Sequence, residues 1–243
     1  MQVIFNADDF GLTQGVNYGI ADACRQGVVR STTMMAGMAA FEHGIALAAD
    51  VPDLQIGVHL RLTAGKPMTA LSQGVNSEGE FLRDAERWTQ SLTETEIGDE
   101  LVAQIEAVRG AGIEISHLDS HHHAHMLPAV LPVAIAVAQQ YKVPLRGNGH
   151  QGWHRAALRY QFSADFYDDA LSEQCVLETI EQHRHDCDVI EFMCHPAYLD
   201  EGLLSRSAYA EPRAKELAIL TSSRLRAAIE AQGHQLADYR VLW

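Results

Sequence analysis

An irregular or incomplete (β/α) barrel is the fold that this 243-residue chain predicts, and three observations carry the prediction. Short apolar segments of strand length alternate with longer amphipathic ones from end to end, which implies βαβ units and a parallel sheet. Polar residues with metal-binding chemistry fall where several of those strands end, at Asp8 and Asp9, His59, the cluster from His117 to His125, and His195. No Gly-rich dinucleotide or phosphate loop follows any strand, so an open Rossmann sheet loses its main support. In a barrel the carboxyl ends of the strands share one face, and residues far apart in sequence converge there.

The elements follow in order. Residues 3–5 form the first strand, and Thr13 is an N-cap for a helix carrying Val16, Ile20 and Cys24 on one face and stopping near Gly27. Residues 32–35 and 55–58 are the next strands. The stretch 70–90, with Gly74, Asn76, Gly79, Phe81 and Trp88, reads as a long loop of the kind that serves as a lid or binding element. Thr93 and Glu96 have capping-box spacing ahead of Ile97, Leu101, Ile105 and Val108 at helical intervals. Residues 113–118 form a strand, Pro128 or Pro132 opens a helix running to Tyr141, and residues 143–145 form a short strand. The stretch 147–169 is irregular and holds Trp153, Tyr160, Phe162, Phe166 and Tyr167, aromatics that either stack on the apolar faces of sugar rings or bury a local mini-core. A strand over 189–193 follows, Pro212 opens another helix, and Ser222 or Ser223 starts the last one, which ends by Gly233.

The densest chemistry lies in residues 116–128, S-H-L-D-S-H-H-H-A-H-M-L-P, where five histidines and one aspartate occupy thirteen positions. Imidazole binds borderline divalent cations, and a carboxylate adds charge. Histidine tags and metal-scavenging tracts lie at termini or in low-complexity sequence. This run is internal, with Ile113, Ile115 and Leu118 before or within it and Leu127, Val130, Leu131, Val133 and Ile135 after it. Strand alternation puts His117, Asp119, His121 and His123 on one side and His122 on the other, for as far as the extended conformation persists. Asp119 is then an acceptor that fixes the tautomer of a ligating imidazole. His123 and His125 bind substrate or water, or pack behind the site.

Each of the other polar residues has an ordinary reading when taken alone. Asp8-Asp9 followed by Phe10-Gly11 suits an Asx-type turn, and His59 and His195 suit satisfied buried histidines. Adjacent carboxylates also split labour, one holding a metal while the other takes a proton. The constellation is far less probable by chance than any one member.

Composition narrows the partners. A balance of 18 basic against 32 acidic residues gives a net charge of −14, which argues against a nucleic-acid backbone and against an anionic membrane surface. Hydrophobic content of 47% suits a globular protein. Cys24, Cys175, Cys187 and Cys194 show no C-x-x-C spacing and read as reduced and mostly buried. With no run of about 18 apolar residues and no signal-peptide pattern at the start, the expectation is a soluble, cytoplasmic protein without membrane insertion. An apolar helix over 130–141 would support a homodimer.

Five ordered motifs carry a resemblance to a known family. They are N-A-D-D-F-G from Asn6 to Gly11, S-T-T from Ser31 to Thr33, G-V-H-L-R-L-T-A-G-K-P from Gly57 to Pro67, H-L-D-S-H-H-H-A-H from His117 to His125, and M-C-H-P-A-Y from Met193 to Tyr198. Together they resemble the YdjC-like carbohydrate deacetylases, and the similarity runs from the first strand to about Ser223. The resemblance implies a single domain over residues 1–243, an irregular (β/α) barrel related to polysaccharide deacetylases. It implies metal-dependent removal of acetyl groups from N-acetylglucosamine units, with a chitooligosaccharide as substrate. Carried over by motif, Asp9, His59 and His121 would hold the metal and Asp8 would be the base. His195 would be the complementary acid or a transition-state stabiliser. Arg146 would orient Asp8 or bind substrate. Apart from the resemblance, Trp153 is the aromatic of the 147–169 stretch best suited to meet a sugar ring.

Physical chemistry is compatible with those roles. Three protein ligands leave positions open for water and for a carbonyl oxygen, and an acid must protonate an amine before it departs. The ion would be Zn²⁺, which suits imidazole, or Mg²⁺, which prefers oxygen. Other readings stay open. Two histidines and a carboxylate also make the facial triad of non-haem iron oxygenases, and a metal or sugar sensor would need no base. Another N-acetylated glycan, a glycolipid or a phospho-sugar are alternative substrates, with Arg61, Lys66 and Arg146 as the cations for a phosphate.

Overall fold

The computed structural model describes residues 1–147 and 158–243. Its frame is one sheet of parallel strands, β1 (Gln2–Phe10), β2 (Ser31–Met34), β3 (Gln55–Leu60), β4 (Leu118–Ser120), β5 (Tyr160–Ser163), β6 (Val189–Cys194) and β7 (Gln235–Ala237). The order across the sheet is β4-β3-β2-β1-β6-β5. One edge of β1 pairs with β6 from Gln2 to Ala7. The other edge is shared, β7 taking Gln2 to Ile4 and β2 starting at Asn6. Among the described residues no pairing joins β5 back to β4, and the sheet is a curled half-barrel, the incomplete form of the predicted architecture.

The connections carry α1 (Gln14–Gln26), α2 (Phe41–Ala48), α3 (Ala85–Thr89), α4 (Glu94–Gly110), α5 (Leu131–Tyr141), α6 (Glu173–His183), α7 (Glu201–Arg206), α8 (Glu211–Leu220) and α9 (Ser223–Ala231). The predicted caps form. Thr13 accepts from the Val16 amide, and Thr93 and Glu96 satisfy each other's backbone N–H groups. Pro132 and Pro212 sit in the first turns of α5 and α8, where a missing N–H costs nothing.

Three expectations need correction. The strand over 113–118 starts later, at Leu118, although Ser116 and His117 already bond to the β3 backbone. Residues 143–145 contribute only a bridge from Leu145 to Leu118. Pro144 has no N–H to extend that ladder, so its carbonyl accepts from Leu118 and pairing stops. The stretch 70–90 is no featureless loop, because it contains α3, whose Trp88 stacks on Phe81 at 5.7 Å and donates its indole N–H to the Leu82 carbonyl. β5 and β7, of sequence YQFS and QLA, were not predicted.

Alternation along the strands explains both faces of the sheet. Val3, Phe5 and Ala7 of β1, Ile56, Val58 and Leu60 of β3, and Ile190, Phe192 and Cys194 of β6 enter the large core beneath the helices. The intervening positions on the concave face are Asn6 and Asp8, Thr33, His59, Asp119 and Glu191, all buried. A small apolar plug of Ile4, Val189, Ala237, Tyr239 and Leu242 closes the amino-terminal end of the barrel. The barrel interior is therefore polar above a greasy base, and the polar part opens at the carboxyl ends of the strands.

Candidate active site

The site begins with a break in β1. In a regular strand adjacent residues point to opposite faces, so Asp8 and Asp9 could not both face one cavity. The register shifts between Ala7 and Phe10, and Asp9 takes a left-handed conformation with φ of 74°. Aspartate tolerates that region better than most residues, and the kink re-aims its side chain. Both carboxylates then line one cavity of about 760 Å³, together with His59, His121, His122, His123 and His195.

Asp9, His59 and His121 form the first cluster. Asp9 Oδ1 lies 3.3 Å from His59 Nε2 and 3.3 Å from His121 Nδ1, yet it is buried without a hydrogen-bond partner among the described residues. Three donor atoms thus converge on a point instead of satisfying one another. Asp9 Oδ2 is held by Arg213 Nη2 at 2.7 Å, which leaves Oδ1 to the cluster. Burial alone would raise the Asp9 carboxyl, but Arg213, His121 and His59 hold it well below the usual range. His59 Nδ1 lies 2.7 Å from Asp119 Oδ1, the arrangement that fixes an imidazole with Nε2 free to ligate. Burial opposes charge on His59, yet the carboxylates of Asp119, Asp9 and Asp8 lift it to about 10.

The donor set of one carboxylate and two imidazoles fits a divalent ion. A second grouping of Asp8, His59 and Asp119 is geometrically compact but chemically poor, because Arg146 already neutralises both carboxylates.

Asp8 is gripped by Arg146 through both oxygens and accepts a further bond from Asn6 Nδ2 at 2.8 Å. Burial would raise its carboxyl, but Arg146 holds it far below the usual range. Arg146 itself is buried and also reaches Asp119 at 2.9 Å and Glu191 at 2.8 Å. Glu191 accepts from Tyr239 at 2.5 Å and from Tyr160. Arg146 contacts Asp8 from behind the cavity wall and is not among the residues that line the cavity.

The histidine run departs from simple alternation. Extension stops at Ser120, and His121–Met126 form a 3-10 turn in which His122 and His123 are left-handed, with φ of 54° and 53°. Two consecutive non-glycine residues in that region are a local strain that tertiary contacts must offset. His121, His122 and His123 face the cavity, and burial lowers His122 and His123 to about 4. His125 turns inward, with Nδ1 2.5 Å from Ser120 Oγ and Nε2 2.9 Å from the Arg146 carbonyl. It supports the turn and the Arg146 backbone, while His123 Nδ1 is buried with no hydrogen-bond partner among the described residues. His117 lies deeper, bonded to Asn6 and stacked on Tyr239 at 3.6 Å.

His195 lies just past the end of β6 and stands over α8. Its backbone N–H donates to Glu216, and its Nδ1 is 3.5 Å from Glu216 Oε1. Tyr209 donates to the same carboxylate oxygen at 2.7 Å, and Arg213 bonds the Tyr209 carbonyl. Arg213, Glu216 and Tyr209 were missed by sequence reasoning. Arg213 and Glu216, three residues apart on one face of α8, were the available signal, with Tyr209 just ahead of the helix. Trp153 lies outside the described residues.

Comparison with known proteins gives concordant matches. The model of the YdjC-like protein family matches residues 2–231. A carbohydrate deacetylase of Vibrio campbellii is 47% identical over 245 residues, covering 100% of this chain and 96% of its own length. A carbohydrate deacetylase of Brevibacillus brevis is 42% identical over 252 residues, covering 100% of both. Among solved structures, an Enterococcus faecalis protein provisionally described as acting in cellobiose-phosphate cleavage is 33% identical, with a TM-score of 0.89 over 99% of this chain and 98% of that one. A family 4 carbohydrate esterase from Streptomyces lividans, solved with acetate, shares the fold at 14% identity and a TM-score of 0.54, covering 96% and 90%.

Proposed function

This chain belongs to the YdjC-like family, and from that premise we propose that it is a metal-dependent carbohydrate N-deacetylase. It hydrolyses the acetamido C–N bond of an N-acetylated amino sugar, a chitooligosaccharide, and releases acetate. The observation that carries the reading is the orphaned Asp9 Oδ1 facing His59 Nε2 and His121 Nδ1 in the same cavity as Asp8 and His195. The curated relatives named carbohydrate deacetylases support it.

Asp9, His59 and His121 would hold the ion, Zn²⁺ or Mg²⁺. When bound, such an ion supplies Lewis acidity, polarising a carbonyl and lowering the pKa of water. Asp8 is ionised and oriented by Arg146 and Asn6, and it takes the proton from the attacking water. His195 gives a proton to the sugar nitrogen as the C–N bond breaks, so the amine leaves neutral. Glu216 accepts from the His195 backbone N–H and stands 3.5 Å from Nδ1, so it positions the ring for donation from Nε2. His123, which lines the cavity, is a substrate contact.

A second reading, hydrolysis of a phosphorylated disaccharide, draws on the Enterococcus faecalis neighbour and on the exposed Arg83 and Arg206 at the cavity. The buried cations do not serve it, since Arg146 and Arg213 are spent on Asp8, Asp119, Glu191 and Asp9. Acetate release from N,N′-diacetylchitobiose by the metal-reconstituted protein, with EDTA-treated and Asp8→Asn controls, tests the leading reading. Metal-dependent acetate is the expected result. Release of phosphate or glucose from cellobiose phosphate, with no acetate from N,N′-diacetylchitobiose, would overturn it.

A further inference from the structure

The floor of the cavity is ionic, but its wall beside His195 is aromatic. Tyr167 and Tyr209 stack with centroids 4.1 Å apart and planes 7° apart, and His195 meets the two rings edge-on at 5.8 Å and 5.6 Å. Tyr209 cannot swing away. Its hydroxyl donates to Glu216 and accepts from the Asp168 amide at 3.1 Å, and Arg213 lies 5.8 Å over its ring. Tyr167 is fixed from both sides along the chain. Phe166 before it is buried in the core, and Asp168 after it is tied to the Tyr209 hydroxyl. Yet Tyr167 remains 40% exposed and lines the cavity, so the surface that Tyr209 and His195 leave uncovered is available to a ligand there.

We propose that Tyr167, backed by Tyr209, is the stacking platform for the pyranose ring whose acetamido group is hydrolysed. The inference rests on the deacetylase reading and makes it more specific, because it selects a cyclic sugar with an apolar face over an acyclic N-acetyl compound. The geometry sets the placement. The acetyl carbonyl belongs at the Asp9–His59–His121 cluster and the nitrogen at His195, so the body of the sugar lies on the His195 side. A nitrogen about 3 Å from His195 carries its own ring to within stacking reach of Tyr167, about 4.5–7 Å between centres. The C–H bonds on one pyranose face then pack on a ring whose orientation is set before substrate arrives, which lowers the entropic cost of binding.

The test uses full-length metal-reconstituted protein, Tyr167→Ala and Tyr167→Phe, with N,N′-diacetylchitobiose as the probe. Tyr167→Ala is expected to lower kcat/KM about 10-fold or more, mostly through KM and with metal content unchanged, and Tyr167→Phe to restore most of the loss. In saturation-transfer NMR on Asp8→Asn, aromatic irradiation should reach the ring protons of one sugar face, and the transfer should vanish in Asp8→Asn/Tyr167→Ala. If wild-type protein releases acetate and Tyr167→Ala costs less than about twofold in kcat/KM, the platform is wrong and the deacetylase reading stands. If no sugar yields acetate, the deacetylase reading fails, and absence of ring-face saturation transfer then removes the platform as well.

Discussion

Arg146 grips Asp8 by both carboxylate oxygens, Nη1 and Nη2 each lying 2.7 Å from a different one. A bidentate pair fixes direction as well as charge, so the lone pairs of Asp8 that remain free are aimed by the fork. Asp8→Asn keeps the shape, loses the base, and is expected to retain metal while kcat falls about 10²–10⁴-fold. Arg146→Met strands three buried carboxylates, Asp8, Asp119 and Glu191, and should cost about 3–5 kcal/mol of folding stability. Urea unfolding of the two variants separates these cases, and an Arg146→Met protein as stable as wild type would show that the carboxylates are not ionised together.

Metal retention should divide the polar residues differently. Asp9→Ala and His121→Ala each remove a ligand, and both should lose bound metal after dialysis, as read by mass spectrometry. Asp119→Asn keeps a polar partner for His59 Nδ1 but weakens its acceptor, so metal affinity should fall about 10–100-fold. Equal metal content in Asp119→Asn and wild type under competition with a chelator would remove Asp119 from the support of His59.

Glu216 touches His195 and nothing that reacts, which makes it a positioning residue. Glu216→Gln should leave metal content unchanged and lower kcat more than it changes KM, by roughly 10–100-fold, because the imidazole loses the carboxylate that positions it. A Glu216→Gln enzyme with wild-type kcat would mean that another group protonates the amine.

Acid should destabilise the chelated protein in a defined window. His122 and His123 are held at about 4 and His125 at about 3, against an ordinary 6.5, and burial also lowers His117. Between those values the unfolded chain binds protons that the folded chain refuses, so stability falls as pH drops below 6.5 toward 4. His59 works in the opposite sense. Raised to about 10, it contributes stability that is present below 6.5 and is lost as pH climbs through 10. The carboxyls of Asp119 and Glu191, raised by burial, also oppose the four, but the ordinary carboxyl range lies below that of histidine, so the histidines dominate between pH 7 and pH 5. Melting temperature in EDTA should therefore drop by several degrees from pH 7 to pH 5, and a flat profile would show that these rings charge without unfolding.

Much of this was legible because chemistry and strand ends coincide. Asp8, Asp9, His59, His121 and His195 all stand where an apolar run stops, and that is where a parallel barrel collects its residues. Glu191 is legible too, as a lone charge inside the apolar run over 189–193. What could not be read was conformational. Nothing local announces that Asp9 turns left-handed, or that His122 and His123 do so in succession, because the surrounding packing imposes both. The three-residue strand at Gln235–Ala237 was invisible for a similar reason, since it exists only because β1 leaves half an edge unpaired below Asn6.

A final prediction follows from the narrow space between β3 and β4. A Cβ added at Gly57 would sit 2.5 Å from the His117 carbonyl oxygen and 2.6 Å from its Nδ1, closer than real contacts allow. The concave face has no side chain at Gly57 because the His117 ring occupies that volume, stacked on Tyr239 and bonded to Asn6 Oδ1. Gly57→Ala must therefore part the two strands or eject the ring. Overpacking of this kind typically costs about 1–3 kcal/mol, which lowers the melting temperature by roughly 2–12 °C in a domain of this size. Because Asn6 also donates to Asp8, displacement of His117 should lower kcat as well. Gly57→Ala/His117→Ala separates the two obstacles: recovery of stability would identify the ring as the obstacle, and no recovery would place it at the backbone carbonyl. A Gly57→Ala protein that melts like wild type would mean that the interior at this level is looser than the contacts between Gly57 and His117 require.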